Sequence, residues 1–75
     1  MTFEEIRDVI VDTINCEVEA VTMEARLSED LGADSLDAVE LSMAIEEAFD
    51  IKTPDDMMVN MKTVGDIVNY LTSLE

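Results

Sequence analysis

The chain contains no histidine, one cysteine, one proline and two glycines among 75 residues. Without histidine, neither a Ser-His-Asp nor a Cys-His site can be assembled. A lone Cys16 excludes an internal disulfide and fits a reducing compartment. No cysteine–histidine cluster is available for zinc. The pattern of alternating oxygen ligands, central glycine and closing glutamate of an EF-hand loop is not met by Asp30-Leu31-Gly32-Ala33-Asp34. Cys16 has no basic neighbour in sequence to favour its thiolate, so it reads as a small, semi-buried apolar residue. No run approaches the roughly 20 apolar residues of a membrane span, and no charged segment followed by an apolar run marks a signal peptide. A soluble, cytoplasmic monomer without membrane insertion is expected.

Positive charge is equally scarce. Arg7, Arg26, Lys52 and Lys62 face 19 acidic residues, for a net charge of −15. Such a surface repels nucleic acid and anionic membranes and attracts basic protein surfaces. Strong acidity can also mean disorder. Here 48% of the residues are hydrophobic and recur at helical spacing, which places the acidity on a folded surface. A chain of this length forms one domain, 1–75, and buries only about 60% of the surface it exposes when unfolded. A deep substrate cleft of its own is hard to build on so little protein. Paired carboxylates held across such a cleft are therefore excluded as a catalytic device. The chain is not an enzyme by itself.

Four helices are predicted. Thr2 and Glu5 form a capping box before Phe3, Ile6, Val9, Ile10 and Ile14, giving a helix over residues 3–15. The second starts near Asp34 or Ser35, both suitable N-caps, and runs to about Phe49. The third is short, with Thr53 as cap and Pro54 in its first position, and ends near Asn60 or Met61. The fourth has Thr63 as cap, Asp66 three residues on, and a stripe of Val64, Ile67, Val68, Leu71 and Leu74. Residues 15–34 have no long periodic segment, but Val18, Val21, Met23, Leu27 and Leu31 mark an ordered connection that packs over the helices. Within it, residues 28–31 suit a single helical turn, and Gly32 supplies a flexible break. No strand alternation is visible. The expected architecture is an all-α four-helix bundle with three longer helices, a short third and a long ordered loop between the first two.

The second helix carries two apolar stripes. At about 100° per residue, Ala38, Leu41, Ile45, Ala48 and Phe49 gather roughly 180° from Leu36 and form the core stripe. Leu36, Val39 and Met43 gather on nearly the opposite side, edged by Glu40, Glu46 and Glu47, with Asp50 at the far end. Either the loop or the third helix covers this second stripe, or it is a docking strip of apolar knobs with a carboxylate rim. Ser35 stands at its head.

Leu31-Gly32-Ala33-Asp34-Ser35-Leu36-Asp37 resembles the phosphopantetheine attachment motif of acyl carrier proteins. The resemblance continues through Val39-Glu40-Leu41, Ile45-Glu46-Glu47, Phe49-Asp50, Pro54-Asp55, Thr63-Val64 and Tyr70-Leu71, and so covers essentially the whole chain. It implies that Ser35 carries 4′-phosphopantetheine, transferred from coenzyme A by a phosphopantetheinyl transferase, and that the arm's thiol bears acyl groups. It implies docking to acyltransferases, ketosynthases and other fatty acid synthesis enzymes with basic surfaces. The expected docking residues are Asp34, Leu36, Asp37, Val39, Glu40, Met43, Glu46 and Glu47. Proteins of this type shelter acyl chains between their helices, and Met43, Ile45, Met57, Met58 and Met61 are candidate walls, methionine repacking easily around guests. Met58 and Met61 fit ordinary core packing as well.

Two features depart from that resemblance. Thr53 stands before Pro54, where relatives often carry an aliphatic residue, and Met57-Met58-Val59 replaces commonly acidic positions. These leave open a carrier of a polyketide or specialised lipid pathway. An acidic helical adaptor or inhibitor without a prosthetic group is the alternative of another class.

Overall fold

The computed structural model describes residues 2–53 and 61–74. Its helices are α1 (Phe3–Ile14), α2 (Ser35–Phe49) and α3 (Val64–Ser73), with a 3₁₀ turn at Val18–Ala20. The short helix expected near residues 53–61 falls mostly on residues 54–60, outside the described residues. The structure is therefore all-helical in its regular elements, with three α-helices among the described residues where the sequence predicts four.

Each helix begins with a reciprocal capping box. Thr2 and Glu5, Asp34 and Asp37, and Thr63 and Asp66 each exchange side-chain-to-backbone hydrogen bonds. These bonds satisfy N–H groups that a helix start leaves without an intrahelical acceptor. α1 and α2 end on residues in the left-handed region, Asn15 at φ 55° and Asp50 at φ 54°. Asparagine and aspartate enter this conformation more readily than most residues with a side chain. α1 thus closes one residue earlier than the apolar spacing suggests, because Asn15 is its C-cap.

The core gathers one stripe from each helix: Ile6 and Ile10, then Leu41 and Ile45, then Val64, Ile67 and Leu71, all at most 1% exposed. Burying each such side chain contributes about 1.5–3 kcal/mol. In α2, Leu41 and Ile45 are fully buried, Ala38 and the half-buried Phe49 pack against the core, and Ala48, expected in the same stripe, is exposed. Leu74, predicted to continue the α3 stripe, is the C-cap and 47% exposed, since the helix stops at Ser73.

The connection between α1 and α2 is ordered by backbone bonds to the start of α3. Leu27 N–H donates to the Lys62 carbonyl, Val64 N–H to Ala25, and Gly65 N–H to Met23, each at 2.9 Å. Arg26 and Thr63 form an isolated antiparallel bridge. A sequence without strand alternation gives no sign of this pairing. It buries Val21, Ala25 and Leu27 and leaves Val18 and Met23 each 39% exposed. Residues 27–30 make a single turn, with Asp30 N–H donating to the Arg26 carbonyl at 2.9 Å. The Asp30 carboxylate closes the turn by accepting from the Arg26 backbone N–H at 2.8 Å and its Nε at 3.2 Å, while Arg26 Nη1 reaches Glu29 at 2.7 Å. The side-chain bond from Arg26 leads in holding the Asp30 carboxyl below its ordinary range. Among the described residues, no helix is long and apolar enough to cross a membrane.

Candidate functional site

The site begins where the ordered connection enters α2. Gly32 has φ +70°, and a Cβ there would meet nothing within 4 Å, so its value lies in the left-handed turn. Ala33 N–H donates to the Leu27 carbonyl at 2.9 Å and draws the chain back toward the preceding turn. Asp34 is the N-cap of α2, and its Oδ1 accepts from Asp37 N–H at 2.9 Å. The Asp37 carboxylate returns the bond by accepting from Asp34 N–H at 3.2 Å.

Ser35 is therefore the first helical residue and not the cap. It is exposed, and among the described residues its hydroxyl makes no hydrogen bond. Of the two suitable N-caps, Asp34 does that work. A hydroxyl at an exposed helix start is accessible to a modifying protein. A phosphate placed on it lies at the positive end of the helix dipole, which offsets part of the repulsion from Asp34 and Asp37. The residues present thus fit a phosphodiester-linked arm.

The second apolar stripe is uncovered by the described residues. Leu36 is 64% exposed, Val39 55% and Met43 62%, against 1% or less for Leu41 and Ile45 on the core stripe. Glu40 and Glu47 are exposed beside it. Glu46 is half-buried, and its Oε2 accepts from the Thr53 backbone N–H at 2.8 Å, so this carboxylate also tethers the segment after α2. Ser35, Leu36, Val39 and Met43 stand along one helix, with Ser35 at its head.

Among the described residues a groove opens beside Ser35, lined by Ala33, Ala38, Leu41, Ser42, Met61 and Thr63. Of the candidate acyl-chain walls, Met43 and Met61 reach this groove, and Met61 is half-buried. Ile45 is fully buried in the core and absent from the lining, while Met57 and Met58 lie outside the described residues. The sequence reading missed two polar lining residues, Ser42 and Thr53, whose hydroxyl oxygens lie 2.9 Å apart. The local sign of Ser42 is a hydroxyl set between Leu41 and Met43 in α2, while Thr53 reaches the groove only through the way the segment after α2 packs.

A family profile described as phosphopantetheine attachment site matches residues 4–71. The chain is 47% identical over 72 residues to an acyl carrier protein of Campylobacter curvus (strain 525.92), a match covering 96% of this chain and 94% of that one. It belongs to the acyl carrier protein family. An acyl carrier protein of Clostridium acetobutylicum is 48% identical over 71 residues, covering 95% and 92% of the two chains. That of Campylobacter jejuni (strain RM1221) is 45% identical over 74 residues, covering 99% and 96%. The chain is thus a carrier and not an enzyme, and the group it carries is 4′-phosphopantetheine. The adaptor without a prosthetic group is set aside. Cys16 has no part in this site: it is half-buried, and burial pushes its thiol above the ordinary range, away from the reactive thiolate.

Proposed function

We propose that Ser35 is the attachment residue and that residues 1–75 form one carrier domain working as a monomer in bacterial-type fatty acid synthesis in the cytoplasm. The observation that carries this reading is the division of labour at the head of α2. Asp34 caps the helix, which leaves the exposed Ser35 hydroxyl free for modification. The bound arm supplies a terminal thiol that holds acyl groups as thioesters. The protein's own residues position the arm and present it to partners.

The exposed strip is the handle for that presentation. Leu36, Val39 and Met43 supply apolar contacts, and Asp34, Asp37, Glu40, Glu46 and Glu47 supply a carboxylate rim. This pairing fits apolar pockets edged by arginine or lysine on a phosphopantetheinyl transferase and on acyltransferases and ketosynthases. A net charge of −15 raises encounter rates with such basic surfaces.

Intact mass after incubation with coenzyme A and a broad-specificity transferase tests the attachment. One phosphopantetheine is expected on the wild-type chain, with peptide mapping placing it on Ser35. A modification mapped to another residue overturns the assignment.

A further inference from the structure

Ser42 lies seven residues after Ser35 in α2. Seven residues correspond to a rise of about 10.5 Å and a net rotation of about 20°, so the two serines share one face of the helix. The Ser42 hydroxyl is part-buried and pairs with Thr53 Oγ1 at 2.9 Å. Other hydroxyls in these helices bond to their own helix: Thr13 Oγ1 donates to the Val9 carbonyl at 2.7 Å, and Thr72 Oγ1 to the Asn69 carbonyl at 3.2 Å. Ser42 instead reaches across to the segment after α2.

That segment is pinned from a second side by Thr53 N–H donating to Glu46 Oε2 at 2.8 Å. Glu46 is one turn beyond Ser42 on α2, so two bonds to one helix hold Thr53 in place. Both hydroxyls line the groove that opens beside Ser35. Two hydroxyl groups bring two hydrogens and share one bond. One O–H therefore remains to donate, and no acceptor for it is present among the described residues. A polar group at the edge of an apolar groove is costly to cover unless it finds a partner. A guest oxygen placed there removes that cost.

We infer that Ser42 and Thr53 form a polar subsite in the groove, which receives a carbonyl or hydroxyl oxygen from whatever Ser35 carries. This rests on the attachment of the arm to Ser35. Two sources share the chemistry: an amide carbonyl of the arm itself, or an oxygen on the acyl chain near its thioester end. In the second case the pair favours oxygen-bearing chains over saturated ones. A hydroxyl that a hydrocarbon guest covers without bonding discriminates more strongly than a lost apolar contact does.

The test compares backbone amide shifts of Ser42 and Thr53 by NMR in four forms: apo, holo, hexanoyl-loaded and 3-hydroxyhexanoyl-loaded. The loaded forms are prepared from the matching coenzyme A thioesters. Mass spectrometry on each form establishes that Ser35 is modified, so a failure to load strikes the attachment reading and leaves the subsite question separate. A shift at both residues in the holo form, carried unchanged through both chains, assigns the oxygen to the arm. A further shift with the hydroxylated chain alone assigns it to the acyl group. Ser42→Ala and Thr53→Val should abolish whichever response is seen, while Thr53→Ser, which keeps the hydroxyl, should retain it. Indifference of wild-type Ser42 and Thr53 to all three loaded forms overturns the subsite. So does a response that persists in folded Ser42→Ala and Thr53→Val.

Discussion

Asp34 and Asp37 cap the head of α2 through each other's backbone, each carboxylate accepting the other's N–H, at 2.9 and 3.2 Å. Ser35 sits between them without a share in the cap. With attachment at Ser35 as proposed, stability and modification fall to different side chains one residue apart. Ser35→Ala should abolish attachment and leave the melting temperature almost unchanged. Asp34→Ala should keep the hydroxyl but destabilise the fold by about 0.5–2 kcal/mol, the usual loss for an N-cap. Intact mass and thermal unfolding on the two variants check both halves. Equal destabilisation by the two substitutions would contradict the division.

The close approach at the start of α3 makes a second prediction. Gly65 donates its N–H to the Met23 carbonyl at 2.9 Å, and a Cβ on Gly65 would stand 2.8 Å from that same oxygen. Backbone cannot yield as a flexible side-chain end can. Gly65→Ala should therefore destabilise by about 1–3 kcal/mol, as overpacking typically does, although alanine is the better helix former. Urea unfolding measures it. A gain in stability would mean that the loop relaxes away from α3 without penalty.

The capping boxes explain why the helix boundaries are legible in the sequence. Thr2 with Glu5, Asp34 with Asp37, and Thr63 with Asp66 are local signals, set by the three-residue reach of a short polar side chain. The exposed Leu36, Val39 and Met43 are legible for a similar reason, since helical periodicity separates them from Leu41 and Ile45. Pairing between distant segments leaves no such trace. The bonds joining residues 23–27 to 62–65, and the Ser42–Thr53 pair across 11 residues, depend on how the helices pack. The glycine at position 65, inside an otherwise regular helical pattern, is the one local hint of close approach.

Acid should expose the role of Asp66. Its carboxyl is held below the ordinary range first by the Lys62 backbone N–H and then by that of Thr63, at 3.0 and 3.2 Å. A depressed folded pKa stabilises the fold fully above the unfolded value, about 3.9 for aspartate. That contribution is lost as the pH falls through the lower folded value. The stability difference between wild type and Asp66→Asn should thus be constant near neutrality and shrink below about pH 4. A difference that grows on acidification would reverse the sign.

Salt should act in the opposite sense to a protein held by ion pairs. The ion pairs among the described residues are few and lie at the surface, the half-buried Arg7 with Asp8 and the exposed Arg26 with Glu29 and Asp30. Such pairs contribute little, whereas the net charge of −15 repels itself throughout the molecule. Added sodium chloride or millimolar magnesium should raise the melting temperature by screening that repulsion. A flat or falling curve would show that acidity does not strain the fold.

The two stripes of α2 call for opposite responses to truncation. Leu41 and Ile45 are at most 1% exposed, so replacing either by alanine should cost about 2–5 kcal/mol. Val39 and Met43 are 55% and 62% exposed, so Val39→Ala and Met43→Ala should leave the melting temperature close to that of wild type. Their effect should appear in complexes, as faster dissociation from the transferase or a ketosynthase, because apolar anchors act mainly after encounter. Glu40→Lys should differ again. A rim charge steers the approach, so this change should slow association and flatten its dependence on salt while altering dissociation less. Thermal unfolding and surface-based kinetics on all five variants separate the three roles. If Val39→Ala and Met43→Ala unfold the protein as Ile45→Ala does, the second stripe is core and the docking face must lie elsewhere. If they spare both stability and binding, the strip is bare surface and the partner reads the carboxylates alone.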